Sequence, residues 1–181
     1  MMASAGSNEL IVTADTMESL AKRANDGEQI YAIIDGCDEP RVPIMFAKIS
    51  NDRAASLYSG HAAIEYASIA PYLVKIDQDW IHWIGSEFGG TPWGFFFVMD
   101  VVHDFASIRR HWKKFLKVQV PDGRKLYFRF YDPRVLETFL TASTAMEIDL
   151  FFGPVSEVVV VHSNKEVRSY RRAIRMIDGS P

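Results

Sequence analysis

Cysteine is nearly absent: Cys37 stands alone among 181 residues, so no disulfide framework can form. Metal-ligand spacing is missing too. His61, His82, His103, His111 and His162 are isolated, no H-x-x-x-H or C-x-x-C pair occurs, and carboxylates stand singly, so neither a metal nor a cofactor is expected. The longest apolar run, Trp93 to Met99, falls well short of the ~20 residues that span a bilayer. No basic start followed by an apolar core occupies the first fifteen residues, so no secretory signal is expected. An excess of positive charge is lacking as well. Twenty Lys and Arg against 23 Asp and Glu leave a net charge of −3, which argues against a general nucleic-acid binder. What is abundant is apolar and aromatic residues, 48% and 13%, too many for a disordered chain. Together these features predict one soluble, cytoplasmic domain with a real core and no membrane partner.

The most informative stretch is K-L-Y-F-R-F-Y-D-P-R-V-L, Lys125 to Leu136. Leu126, Phe128 and Phe130 alternate with Lys125, Tyr127, Arg129 and Tyr131, the period of two of a half-buried strand. Asp132 then suits a helix N-cap, and Pro133 suits the first helical position, where its missing N–H costs nothing. A strand-to-helix corner is expected there. Pro121-Asp122-Gly123 makes Val118 to Val120 and Lys125 to Tyr131 a predicted hairpin.

Elsewhere the chain alternates helices and strands. Thr16 is placed to cap a helix to Asn25, and Ile30 to Ile34 reads as an inner strand closed by Asp35-Gly36. A helix near Pro43 would carry Ile44, Phe46, Ala47 and Ile49 partly inward. Pro71 to Ile76 reads as a strand, Asp79 to Phe88 as a helix with an aromatic face, and Trp93 to Val102 as a central strand covered on both sides. Phe105, Ile108, Trp112, Phe115 and Leu116 line one helix face, with Arg109, Arg110, Lys113, Lys114 and Lys117 on the solvated side. Val158 to Val161 reads as the last strand, followed by a basic amphipathic helix from Glu166 to Ile177. The pattern predicts an α/β (α+β) fold: a mixed sheet with helices packed on it, in a single layered domain ending in a short C-terminal helix. Residues 1–15 are expected to be a mobile lead-in, 16–162 the domain, and 163–181 the helix and tail.

Cys37 follows a strand, where a nucleophile could sit, but no signature surrounds it, so a small residue in a turn is expected. Asp35, Asp77, Asp100 and Asp132 fall at predicted strand ends, where paired carboxylates could act as acid and base; turn and cap formation explains each separately. Glycines 85, 89, 90 and 94 follow a helix and precede a strand, the reverse of a phosphate-binding loop. Arg129 on an aromatic strand must be paired or exposed, and an ion pair with one of those aspartates is expected.

Five blocks carry a family resemblance: I-Y-A-I-I-D-G (Ile30 to Gly36), S-L-Y-S-G (Ser56 to Gly60), A-P-Y-L-V (Ala70 to Val74), P-D-G-R-K-L-Y-F-R-F-Y-D-P-R-V-L (Pro121 to Leu136) and F-F-G-P-V (Phe151 to Val155). In this order the chain resembles the type VI secretion adaptors, also called effector chaperones. The resemblance implies a cytoplasmic, non-enzymatic protein that holds an effector, commonly by its N-terminal region, and loads it onto the VgrG spike. Many such adaptors continue beyond the F-G-P block into a mostly helical second lobe, whereas about 26 residues follow it here. If the protein works by binding, Arg129, Asp132 and Arg134 are expected to form a polar corner, with Tyr58 and Trp93 as aromatic anchors, since interface energy concentrates in Trp, Tyr and Arg. The rival readings are a small enzyme using Cys37 or the strand-end aspartates, and an immunity-like protein that blocks the toxin.

Overall fold

The computed structural model describes residues 10–37, 41–46, 52–88, 91–99, 102–119, 122–162 and 164–173. Seven strands form one sheet: β1 (Leu10–Asp15), β2 (Gln29–Asp35), β3 (Ala54–Ser56), β4 (Pro71–Lys75), β5 (Gly94–Met99), β8 (Val155–Val161) and β9 (Val167–Arg172). Their order across the sheet is β1-β9-β8-β5-β2-β4-β3, and β6 (Lys117–Gln119) with β7 (Lys125–Tyr127) forms a separate two-stranded ribbon. The helices are α1 (Met17–Asn25), α2 (Arg41–Phe46), α3 (His61–Glu65), α4 (Gln78–Glu87), α5 (Phe105–Lys113), α6 (Pro133–Ala142) and α7 (Ala145–Phe152). The expected α/β layering is present, in one domain. Every strand pair among the described residues is antiparallel, so no neighbour needs a helical crossover.

Alternation along the inner strands builds two cores at once. Ile30, Ala32 and Ile34 of β2, with Phe96 and Val98 of β5, face α1, α2 and α4, where Leu20, Val42, Phe46, Ile81 and Ile84 cover them. Tyr31 and Ile33, with Phe95, Phe97 and Met99, face the opposite way, under Ile108, Trp112, Leu136, Leu140, Phe151 and Phe152 of α5, α6 and α7. This double burial is why β2 and β5 are apolar at nearly every position. Gly94 opens β5 at φ 146°, and a Cβ there would lie 2.0 Å from the Ile33 carbonyl oxygen, so only glycine lets the two strands meet at that point.

Helix starts follow the local chemistry. Thr16, Asp77, Asp104, Asp132 and Thr144 each accept a backbone N–H of the helix they precede, and Thr144 with Glu147 completes a reciprocal capping box.

Several expectations need correction. Residues 10–15 are not a mobile lead-in but the edge strand β1, paired with β9 from Leu10↔Arg172 to Asp15↔Val167. The predicted C-terminal helix is a strand over Val167–Arg172; there a period of two, with Val167 and Ser169 buried on one face and Tyr170 on the other, prevails over the helical spacing of Val167 and Tyr170. Because β1 and β9 complete the sheet, the boundaries at 16 and 162 do not hold, and Val158 to Val161 is not the last strand. The Lys125 strand stops at Tyr127, and Tyr131, placed with the outward residues, is buried. Ile44 is exposed, while Val42 and Phe46 turn inward. Ala47, Ile49, Asp100, Gly89 and Gly90 lie outside the described residues.

Candidate functional site

At the carboxyl end of β2, Asp35 is buried, and its Oδ2 accepts from Arg129 Nη2 at 2.6 Å while Oδ1 accepts the Cys37 N–H at 3.0 Å. The expected ion pair of Arg129 is therefore present. The guanidinium also lies 5.7 Å from the centre of the Tyr131 ring, and its bond to Asp35 holds it protonated well beyond the ordinary arginine range. Tyr131 is in turn hydrogen-bonded to Tyr58, and burial followed by that bond raises its phenol above the usual tyrosine value.

The loop that carries Tyr58 is held from α5. Arg109 donates to the carbonyls of Ser56 at 2.8 Å and Tyr58 at 2.9 Å, and Lys113 donates to Ser59. Two residues beyond Phe130, Asp132 caps α6 and is clasped by the guanidinium of Arg134 at 2.9 and 2.7 Å. That clasp outweighs burial and keeps the Asp132 carboxyl below its usual range. Gly36 donates to the Ala70 carbonyl at 3.0 Å, which brings the head of β4 to the same place. Four of the five sequence blocks thus converge on one corner of the molecule.

The fifth block makes a separate latch. His111 Nε2 donates to the Phe151 carbonyl at 2.8 Å, and a Cβ on Gly153, which sits at φ 51°, would lie 2.6 Å from the His111 ring. The glycine of F-F-G-P-V is required both by its backbone angle and by an imidazole.

The structure brings Arg129, Asp132 and Arg134 together in a polar corner, and Tyr58, expected as an aromatic anchor, is half-buried. Trp93 is different: it is 1% exposed, packed 4.9 Å from Phe96 and 6.5 Å from Phe88, and cannot serve as an exposed anchor. It directly precedes the central strand β5 and is buried in the same core. Arg109 and Tyr131 escaped the sequence reading as parts of the corner. Arg109 sits in a run of basic residues on α5 with no local sign that it reaches across to Ser56, 53 residues earlier.

Asp77 caps α4 through the Trp80 N–H at 3.1 Å and pairs with Arg53 at 3.1 Å. Cys37 is an exposed free thiol, and among the described residues no histidine ring is bonded to it. No group of three His, Cys, Asp or Glu side chains among those residues could hold a metal ion. Beside the corner, Phe128, Val135, Thr138, Phe139 and Ala142 line a shallow, open, mostly apolar groove between Arg134 and Glu147. This arrangement can clamp chain segments together and present surface; no nucleophile, base and orienting group stand together in it.

Comparison with known proteins gives a family but no described relative. No curated protein and no solved structure matches the chain. One family model, described as "Domain of unknown function (DUF4123)", matches residues 30–149, from the start of β2 to α7, and so takes in the Asp35, Tyr58 and Arg129–Arg134 corner whole. Spanning well over half of the chain and all the elements that build that corner, the match makes the protein a member of the DUF4123 domain family.

Proposed function

We propose that the protein is a non-catalytic adaptor that holds a toxin effector in the cytoplasm and carries it to the VgrG spike of a type VI secretion apparatus. The sequence blocks that resemble such adaptors support this reading, and the family match covers four of the five in full. The observation that carries it is how those blocks are used. Most of their charged groups are spent on one another, Arg124 on Asp122, Arg129 on Asp35 and Arg134 on Asp132, while large apolar side chains stand out: Met146 and Leu150 on α7, Leu126 and Tyr127 on β7, Ile64 on α3. A protein arranged in this way has much of its charge committed to its own fold and apolar area left over for partners. Two modest contacts, one to the effector and one to the spike, add through effective concentration.

Co-expression with the products of neighbouring reading frames, followed by affinity capture of the adaptor, tests the reading. A toxin and a spike protein should co-purify with it, and capture should survive Cys37→Ala. Recovery of neither partner from cells that express both would overturn the proposal. Inhibition of the toxin domain by the captured protein would replace it with the immunity reading.

A further inference from the structure

Charge is distributed unevenly along this chain. Between Arg109 and Arg134 there are nine Lys and Arg against two Asp, a surplus of seven, which leaves 11 Lys and Arg against 21 Asp and Glu in the rest. Most of the nine are occupied. Arg109 bonds backbone carbonyls, Arg110 and Lys113 bond serines, and Arg124, Arg129 and Arg134 pair with Asp122, Asp35 and Asp132. Lys114, Lys117 and Lys125 are exposed, and among the described residues no carboxylate pairs with them.

Two of those lysines lie on the β6–β7 ribbon, which pairs with no strand of the main sheet. All six of its residues are exposed. Cross-strand pairing puts Val118 and Leu126 on one face and Lys117, Tyr127, Gln119 and Lys125 on the other, with the Lys117 ammonium 5.1 Å from the Tyr127 ring centre. An isolated two-stranded ribbon is marginal in water, and a third strand would stabilise it. Among the described residues no strand pairs with its outer edges, which offer a template for an extended segment.

We propose that the β6–β7 ribbon is a docking surface for an acidic, extended segment of a partner protein, added as a third strand. Side chains of such a strand alternate, so carboxylates at every second position would share the face of Lys117 and Lys125 while the intervening apolar residues share that of Val118 and Leu126. The exposed lysines select an acidic partner, and the Val118 and Leu126 face beside them selects a polypeptide over a nucleic acid, because alternating apolar side chains cover such a face and phosphates do not. The proposal deepens the adaptor reading and rests on it for the identity of the partner.

The test uses the full-length chain and fluorescein-labelled probes: a peptide alternating Glu and Val, a block peptide of the same composition, a single-stranded oligonucleotide, and phosphatidylglycerol vesicles. The alternating peptide should bind about tenfold more tightly than the block peptide or the oligonucleotide, and its binding should weaken between about 50 and about 300 mM salt. Lys117→Glu with Lys125→Glu should lower that affinity at least about tenfold, while Lys22→Glu on α1 should leave it unchanged. Equal binding of the two peptides, tighter binding of oligonucleotide or vesicles, or no binding at all would overturn the proposal. The two readings separate cleanly. Peptide binding without capture of toxin or spike would leave the ribbon site standing and sink the adaptor reading, whereas capture undiminished by the double reversal would do the opposite.

Discussion

On the α1 side of the sheet the apolar core is joined by an ionic tie. Glu157, buried in β8, accepts from Arg23 of α1 at 2.6 Å, from Arg171 of β9 at 2.9 Å and from Ser169, while Arg23 also reaches Asp15 at 3.3 Å and Glu28 at 2.9 Å. On the α5–α7 side the tie is aromatic. Trp112, fully buried, stacks on Phe130 at 5.5 Å and meets Phe95, Phe97 and Phe151 edge-on at 5.0 to 5.5 Å, with His111 beside it bonded to a backbone carbonyl. One sheet is thus clamped by two chemistries, and each fails differently. Desolvation erodes what the ion cluster contributes, but its members are shared, so no single arginine is decisive. The rings have no substitute, since removing one leaves a void that its neighbours cannot fill.

The largest effect should come from Trp112→Ala, which is expected to lower unfolding free energy by about 3–5 kcal/mol in a denaturant titration. Arg23→Ala should cost about 3 kcal/mol or less, because Arg171 and Ser169 still reach Glu157. A loss for Arg23→Ala that matched or exceeded that of Trp112→Ala would break the comparison.

Acid sharpens it. Burial, opposed by the bond to Phe151, depresses the His111 imidazole below its usual 6.5, so the stability tied to its neutral form is complete above about pH 6.5 and is lost as pH falls below it. Burial opposes ionisation of Glu157, but the bonds from Arg23, Ser169 and Arg171 outweigh it and hold its carboxyl below 4.5. Its contribution is complete above that value and is lost as pH falls toward the depressed folded value. Stability measured against pH should therefore decline in two stages. His111→Gln should flatten the upper one and Glu157→Gln the lower. A single stage, or loss of both stages in one variant, would show that the faces do not respond separately.

The smallest effect belongs to the corner. Asp132→Ala removes the cap of α6 and should cost about 1 kcal/mol, whereas Arg134→Ala, whose side chain is 73% exposed, should cost less than about half of that in the same titration.

Where local chemistry decides, the sequence was legible. Thr16, Asp77, Asp104 and Asp132 cap their helices because a short polar side chain beside free amides has few other uses, and the apolar runs of β2 and β5 can only be inner strands. The Arg129 ion pair followed from the cost of leaving an arginine unpaired on an aromatic segment. What failed were the sheet's outer strands. β1 has β-branched residues but no clean alternation, because Ile11 and Val12, on opposite faces, are both about half exposed. β9 carries arginines on both faces, each engaged with a carboxylate or carbonyl from another element, Arg171 with Glu157 and Arg172 with Gly153, and no sequence period records such partners. Trp93 was misjudged for a related reason: residue type suggests an anchor, but only the fold decides which side of the surface it occupies.

The pairing of β1 with β9 also bears on how this protein is made. Val167 to Arg172 are translated more than 150 residues after Leu10 to Asp15, so this rim of the sheet cannot close until both segments have left the ribosome. Through that interval a short apolar strand waits without its mate, and the nascent chain depends on whatever shields it.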